Sequence, residues 1–224
     1  MGKLSIVATP IGNMEDITFR ALRTFKECDV IYAEDTRVIS KLLAKYEIKK
    51  PLQRLDAATE ATKAKEVIKR LEAGERVVYV SDAGTPGVSD PGARLLARVR
   101  EFSPEIKIEA IPGASALTAA LSIAGIEGPS FVFLGFLPHK KGRQTMLREI
   151  AASKYPVVVY ESPHRVVKLL EELHTFAAGS RVTIARELTK MFEEVLVGKP
   201  EELVRQLKEG KKDRGEFVVI IENN

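Results

Sequence analysis

The chain has 224 residues, 45% hydrophobic and 29% charged, enough apolar material for one large or two small packed domains and too much for a disordered chain. One cysteine and three histidines, with no His-Glu-x-x-His spacing, exclude an internal disulfide framework and argue against a cysteine- or histidine-bound metal. The formal charge of +4 says little about nucleic acid by itself, so any such binding needs a local patch.

No apolar run approaches the roughly 20 residues of a membrane span. The opening Met1-Gly2-Lys3-Leu4-Ser5-Ile6 is too strand-like for a signal peptide. Cytoplasmic placement without a membrane partner is the expectation.

Strand-like and helix-like segments alternate from the first residue. Leu4–Ala8 is a short apolar run that ends in the turn cluster Thr9–Asn13. Asp16 is placed to cap a helix whose Ile17, Ala21, Leu22 and Phe25 share one face. Val30–Ala33 predicts a strand, Val38–Tyr46 a helix, and Thr62–Ala73 another that stops at Gly74. Arg76–Val80, rich in β-branched residues, predicts a strand buried on both faces. A helix over Ala93–Phe102 and a strand over Ile106–Ile111 follow, then Pro112–Ser115 opens a helix rich in alanine and leucine.

Glycines and a proline in Gly125–Pro129 mark a lobe boundary, which predicts an N-terminal lobe over 1–125 and a C-terminal lobe over 126–224. Beyond it, strands are expected at Phe131–Gly135, Val157–Tyr160, Val182–Arg186 and Phe217–Ile221, with a further one at Phe192–Val197. Helices are expected at Gln144–Ala152, Val166–Phe176 and Glu201–Lys208. Strict β/α alternation in the first half argues for a mainly parallel sheet; the second half is open to a mixed one. The fold class is α/β.

In such sheets ligands bind beyond the carboxyl ends of the strands, and there this sequence gathers its glycines, prolines and acids: Thr9–Asn13, Glu34–Arg37, Ser81–Gly92, Pro112–Ser115 and Ala185–Lys190. Neither Gly-x-Gly-x-x-Gly nor Gly-x-x-x-x-Gly-Lys-Ser/Thr occurs, which argues against nicotinamide enzymes and P-loop proteins. Ser81–Gly92, with two aspartates, three glycines and two prolines, is too long for a plain connection.

The ordered series Ala8-Thr9-Pro10-Ile11-Gly12-Asn13, Ala33-Glu34-Asp35-Thr36-Arg37, Ser81-Asp82-Ala83-Gly84-Thr85-Pro86, Ser89-Asp90-Pro91-Gly92, Ile111-Pro112-Gly113-Ala114-Ser115-Ala116, Gly135-Phe136-Leu137-Pro138, Tyr160-Glu161-Ser162-Pro163-His164-Arg165 and Ala185-Arg186-Glu187-Leu188-Thr189-Lys190 resembles the ribosomal RNA small subunit methyltransferase I family of the tetrapyrrole-methylase superfamily. It spans Lys3 to Ile221.

The resemblance implies a two-lobed tetrapyrrole-methylase-like fold, a homodimer, S-adenosyl-L-methionine as cofactor, and methyl transfer to a cytidine ribose 2′-hydroxyl in small-subunit ribosomal RNA. Carried over by position, it implies cofactor contacts at Pro10, Asp82, Gly84, Thr85, Ser115, Ala116, Ala185 and Leu188. Asp82 suits the ligand's amino group, and loop backbone its adenine and carboxylate. Two departures stand out. Asp56-Ala57-Ala58-Thr59-Glu60 occupies the place of the family's His-Glu-His-Asn-Glu, and many members continue for tens of residues past the position where this sequence stops.

A sugar hydroxyl attacks once its proton leaves, so a general base is expected among Glu34, Asp35 and Glu161. Ion pairing with Arg37 or Arg165 is the equally weighted structural role for these acids. Pro138-His139-Lys140-Lys141-Gly142-Arg143 is a compact basic loop, so Lys140, Lys141 and Arg143, with Arg37 and Arg165 beside the cleft, are the expected RNA contacts. Lys211-Lys212-Asp213-Arg214 reads as a solvated turn. No tryptophan and 6% aromatics argue against extensive base stacking. A tetrapyrrole or diphthamide-type methyltransferase of the same superfamily and a non-catalytic RNA- or nucleotide-binding module are the alternatives.

Overall fold

The computed structural model describes residues 2–56, 58–90, 92–210 and 212–223. Pro91 of the Ser89–Gly92 motif, Ala57 of the Asp56–Glu60 segment and Lys211 of the expected solvated turn lie outside the described residues. The chain divides into two units, Met1–Ser115 and Ala116–Asn224.

In the first unit Lys3–Val7 (β1), Val30–Ala33 (β2), Leu52–Arg54 (β3), Arg76–Val80 (β4) and Lys107–Ile111 (β5) form one sheet in the order β3-β2-β4-β1-β5. All its pairings are parallel. Helices Phe19–Glu27 (α1) and Thr36–Lys45 (α2) cover one face; Glu60–Glu72 (α3) and Gly92–Phe102 (α4) cover the other. Strand β4 serves both cores: Val77 and Tyr79 pack towards α3 and α4, and Val78 and Val80 towards α1 and α2. That double burial is why its sequence is apolar without alternation.

One local reading is corrected. Thr18, not Asp16, caps α1, its hydroxyl accepting from the Ala21 N–H at 3.1 Å, while Met14–Asp16 forms a 3₁₀ turn capped by Asn13. Strand β3 has no range predicted from periodicity; it has three residues, too few to show a period. Gly74 ends α3 at φ 90° as its position predicts.

The second unit holds Val132–Phe136 (β6), Val157–Glu161 (β7), Arg181–Arg186 (β8), Glu194–Gly198 (β9) and Phe217–Glu222 (β10), in the order β6-β7-β10-β8-β9. The β6–β7 pair is parallel and the other three pairs are antiparallel, so this sheet is mixed. Helices Arg143–Ala152 (α6), Val166–Phe176 (α7) and Pro200–Glu209 (α8) bury Leu147, Leu169 and Leu203 against Val159, Ile184 and Val219. Helix Ala116–Ala124 (α5) packs on β10 and β8 instead of joining that core. This packing is why the break between units falls at Ser115 and not at residue 125. Among the described residues no helix is long and apolar enough to cross a membrane.

Candidate active site

Parallel strands bring the turns after β1, β2, β4 and β5 to one edge of the first sheet. At that edge β1 leads to α1 on one face, and its neighbour β4 leads to α4 on the other. This is a topological switch point, where α/β sheets open a crevice.

Hydrogen bonds tie the turns together. The Thr9 and Gly84 backbones exchange two N–H···O bonds of 3.0 Å each, and the Ala8 N–H donates to the Ile111 carbonyl at 3.0 Å. The Thr85 hydroxyl donates to the Ala114 carbonyl at 3.1 Å, and the Asp35 N–H donates to the Asp82 carboxylate at 2.8 Å. Gly84 adopts φ 76°, and a Cβ there would stand 3.3 Å from Ile11. A Cβ on Gly113 would stand 3.1 Å from that of Ala8. Backbone therefore lies bare at this edge because two positions lack side chains. Pro10 and Ser115 are half-buried beside it, and Asp82 is exposed.

The acids of the first unit have distinct environments. Asp35 caps α2 by accepting from the Arg37 N–H at 2.8 Å and also accepts from Arg37 Nε at 3.0 Å. Those Arg37 hydrogen bonds lower its carboxyl to a pKa of about 2. A carboxylate so committed is a poor proton acceptor. Glu34 is half-buried and makes no hydrogen bond or ion pair among the described residues. Burial first, then the charges of Asp82, Asp90 and Asp56, hold its carboxyl above the ordinary value. Asp90 accepts from the Gly87 and Gly92 N–H groups at 2.7 and 2.8 Å and fixes the long turn. Of the two neighbouring acids, Asp35 is the one whose carboxylate is committed to a cation.

In the second unit Glu161 is buried, with its Oε1 accepting from the Ser162 N–H at 2.9 Å and lying 3.3 Å from Arg165 Nε. Its Oε2 is 3.8 Å from Arg143. Glu161 is thus withdrawn as a base: the structural role holds for it, as for Asp35. Arg143 is withdrawn as an RNA contact as well. It is 4% exposed and pairs with Glu172 at 2.6 Å, because α6 begins at this residue and turns it inward. Arg165 donates to the Leu137 carbonyl at 2.5 Å, while Lys140, Lys141 and, in the first unit, Arg37 are exposed.

Ala116 opens α5, and Ala185 and Leu188 are buried at the end of β8. The turn that follows holds Glu187 at φ 51° and Thr189 at φ 65°. Lys190 braces it with 2.9 Å bonds to Glu187 and Glu216. Left-handed conformations at two non-glycine residues in one turn are costly and gather at functional sites.

The first unit fits the expected S-adenosylmethionine on its own evidence of form. Asp82 offers an exposed carboxylate, Gly84 and Gly113 offer uncovered backbone, and the buried Thr9 hydroxyl has no hydrogen-bond partner. Sequence reasoning passed over Thr9, although it lies inside the first motif. It also passed over Glu60, buried with one carboxylate oxygen unpartnered and the other 3.8 Å from Arg94. The glutamate retained in an otherwise altered segment was the available signal for it.

Comparison with known proteins adds relatives. A family model described as Tetrapyrrole (Corrin/Porphyrin) Methylases matches residues 3–204. A protein of Thermotoga maritima named ribosomal RNA small subunit methyltransferase I is 42% identical over 99% of this chain and 98% of its own. One of the same name from Halalkalibacterium halodurans is 44% identical over 100% of this chain and 76% of its own. Among solved structures, the methyltransferase CobJ matches with a TM-score of 0.73 at 22% identity, covering 100% of this chain and 95% of its own. Uroporphyrin-III C-methyl transferase from Thermus thermophilus, complexed with S-adenosyl homocysteine, matches with a TM-score of 0.65 at 18% identity, covering 98% and 97%. At those identities the two structures speak for the fold alone.

Proposed function

The chain belongs to the tetrapyrrole (corrin/porphyrin) methylases and, within them, to the ribosomal RNA small subunit methyltransferase I family, and on that premise we propose that it methylates the ribose 2′-hydroxyl of a cytidine in small-subunit ribosomal RNA. The observation that carries this reading is a relationship to enzymes of that name along essentially the whole chain.

S-adenosylmethionine supplies a methyl group already activated on a sulfonium. Asp82 would pair with its ammonium group, and the backbone at Pro10, Gly84, Thr85 and Ser115 would line it in the first unit. Ala116, Ala185 and Leu188 are the corresponding candidates in the second. An in-line displacement depends on positioning, which stitched turns provide at low entropic cost.

The ribose hydroxyl gains nucleophilicity as its proton leaves. Glu34 is assigned as the acceptor: burial and the neighbouring acids raise its carboxyl above the ordinary value, so it holds a proton better than an ordinary carboxylate. Lys140, Lys141 and Arg37, all exposed, are assigned to phosphates, whose attraction is independent of sequence. A cytoplasmic homodimer completes the reading.

The test uses small subunits from cells lacking the protein, with a precorrin-type tetrapyrrole in parallel and labelled S-adenosylmethionine as donor. Label is expected in a ribose-methylated cytidine after nuclease digestion and mass analysis. Label on a base, or in the tetrapyrrole alone, would overturn the assignment.

A further inference from the structure

Strand β6 carries a bulge. Phe133 is paired with Val158 and Gly135 with Val159, so Leu134 is an extra residue, and Gly135 sits at φ 63°. In a regular strand, residues three apart point to opposite faces. The extra residue instead brings Phe133 and Phe136 to the same face, where both meet the ring of Tyr160 edge-on. Their centroids lie 5.0 and 5.6 Å from it, at interplanar angles of 68° and 63°. Leu134 turns into the core.

Phe136 keeps 55% of its surface exposed although its neighbours fix its orientation. The chain then leaves the strand directly into the basic loop. Arg165 holds that loop at the Leu137 carbonyl and Arg143 holds it at the Pro138 carbonyl, 3.2 Å away, and both guanidinium groups are anchored by Glu161. Lys140 and Lys141 stay exposed. Across the sheet, Phe136, Tyr160, Val218 and Ala185 stand in one row. At about 4.8 Å per strand, Phe136 is roughly 14 Å from Ala185.

We propose that Phe136 is a stacking platform for a nucleobase of the RNA substrate, with Lys140 and Lys141 on the adjoining phosphates. The inference rests on the ribosomal RNA reading above. An oriented, exposed ring beside two ammonium groups matches a nucleotide, which presents a π-face and a phosphate together. The distance to Ala185, an expected cofactor contact, makes the stacked base one that flanks the methylated nucleotide. A single platform of this kind is compatible with a chain poor in aromatics.

The chain contains no tryptophan, so Phe136→Trp creates a single tryptophan at the site, whose emission can be excited apart from that of the tyrosines. Its emission is expected to be quenched on titration with a small-subunit RNA fragment. Phe136→Leu keeps apolar bulk but removes the π-face. It is expected to lower kcat/KM for RNA roughly 5- to 150-fold, the range of one base–aromatic stack, with the donor dissociation constant unchanged.

Wild-type rates in Phe136→Leu, or tryptophan emission indifferent to RNA, would overturn the platform. Emission that shifts with protein concentration in the absence of RNA would also overturn it, because a second copy would then cover the ring. No RNA methylation by the wild-type chain, assayed alongside, would instead overturn the reading beneath it.

Discussion

Asp35 and Asp82 are joined by one hydrogen bond, from the backbone N–H of the first to the carboxylate of the second at 2.8 Å. It fastens the turn after β2 to the turn after β4 and sets Glu34 in the field of Asp82. A residue proposed to hold the cofactor therefore also shapes the environment of the proposed base.

Asp82→Asn retains an oxygen for the Asp35 N–H but loses the charge. S-adenosylmethionine affinity, read by calorimetry, is expected to fall about 10- to 150-fold, since a hydrogen bond to a charged group is worth about 1.5–3 kcal/mol. The melting temperature should barely move because the side chain is exposed. Unchanged affinity would remove Asp82 from the site.

Glu34→Gln is expected to lower kcat about 10²- to 10⁴-fold with donor binding intact, whereas Asp35→Asn, which keeps the helix cap, should cost far less. Deprotonated Glu34 is the active form, so the wild-type rate should rise with pH through a limb above the ordinary carboxyl value of 4.5. That limb should vanish in Glu34→Gln. Linkage gives a second sign. A raised folded pKa means stability present below the unfolded value and lost as pH rises through the folded one. Glu34→Gln should therefore melt slightly higher than the wild type at pH 8 while being nearly inactive.

Arg143 and the two lysines of the same loop should separate cleanly. Arg143→Ala leaves buried Glu161 without one of its two cations and is expected to cost about 3–5 kcal/mol of stability in denaturant unfolding. Lys140→Ala and Lys141→Ala should leave stability unchanged and each reduce the salt dependence of RNA binding by about one phosphate contact.

Gly84→Ala places a side chain at φ 76°, 3.3 Å from Ile11, at an expected cost of about 1–2 kcal/mol and with loss of donor affinity. Gly74, at φ 90° with open space around its Cβ position, is the control. Gly74→Ala should carry about the same strain and leave donor binding untouched.

Much of this was legible in the sequence because periodicity and turn chemistry act locally. The parallel sheet followed from the alternation of elements, and the turns tied together in the first unit were among those singled out by their glycines and acids. What sequence could not rank was the partnering of like residues. Glu34, Asp35 and Glu161 are equivalent on paper; they differ only once Arg37 folds back on Asp35 and Arg143 and Arg165 close on Glu161. Arg143 read as part of a basic run because its inward turn depends on where α6 begins. The β6 bulge has no periodic signature, so the convergence of Phe133 and Phe136 on Tyr160 emerges only from strand register.

A crystal structure with S-adenosylhomocysteine is the most direct measurement of the central claim. Density for the ligand's ammonium group within hydrogen-bond distance of the Asp82 carboxylate, with its remaining atoms against the backbone of Thr9–Pro10 and Gly84–Thr85, is the result expected. Full occupancy away from the turns after β1 and β4 would contradict it.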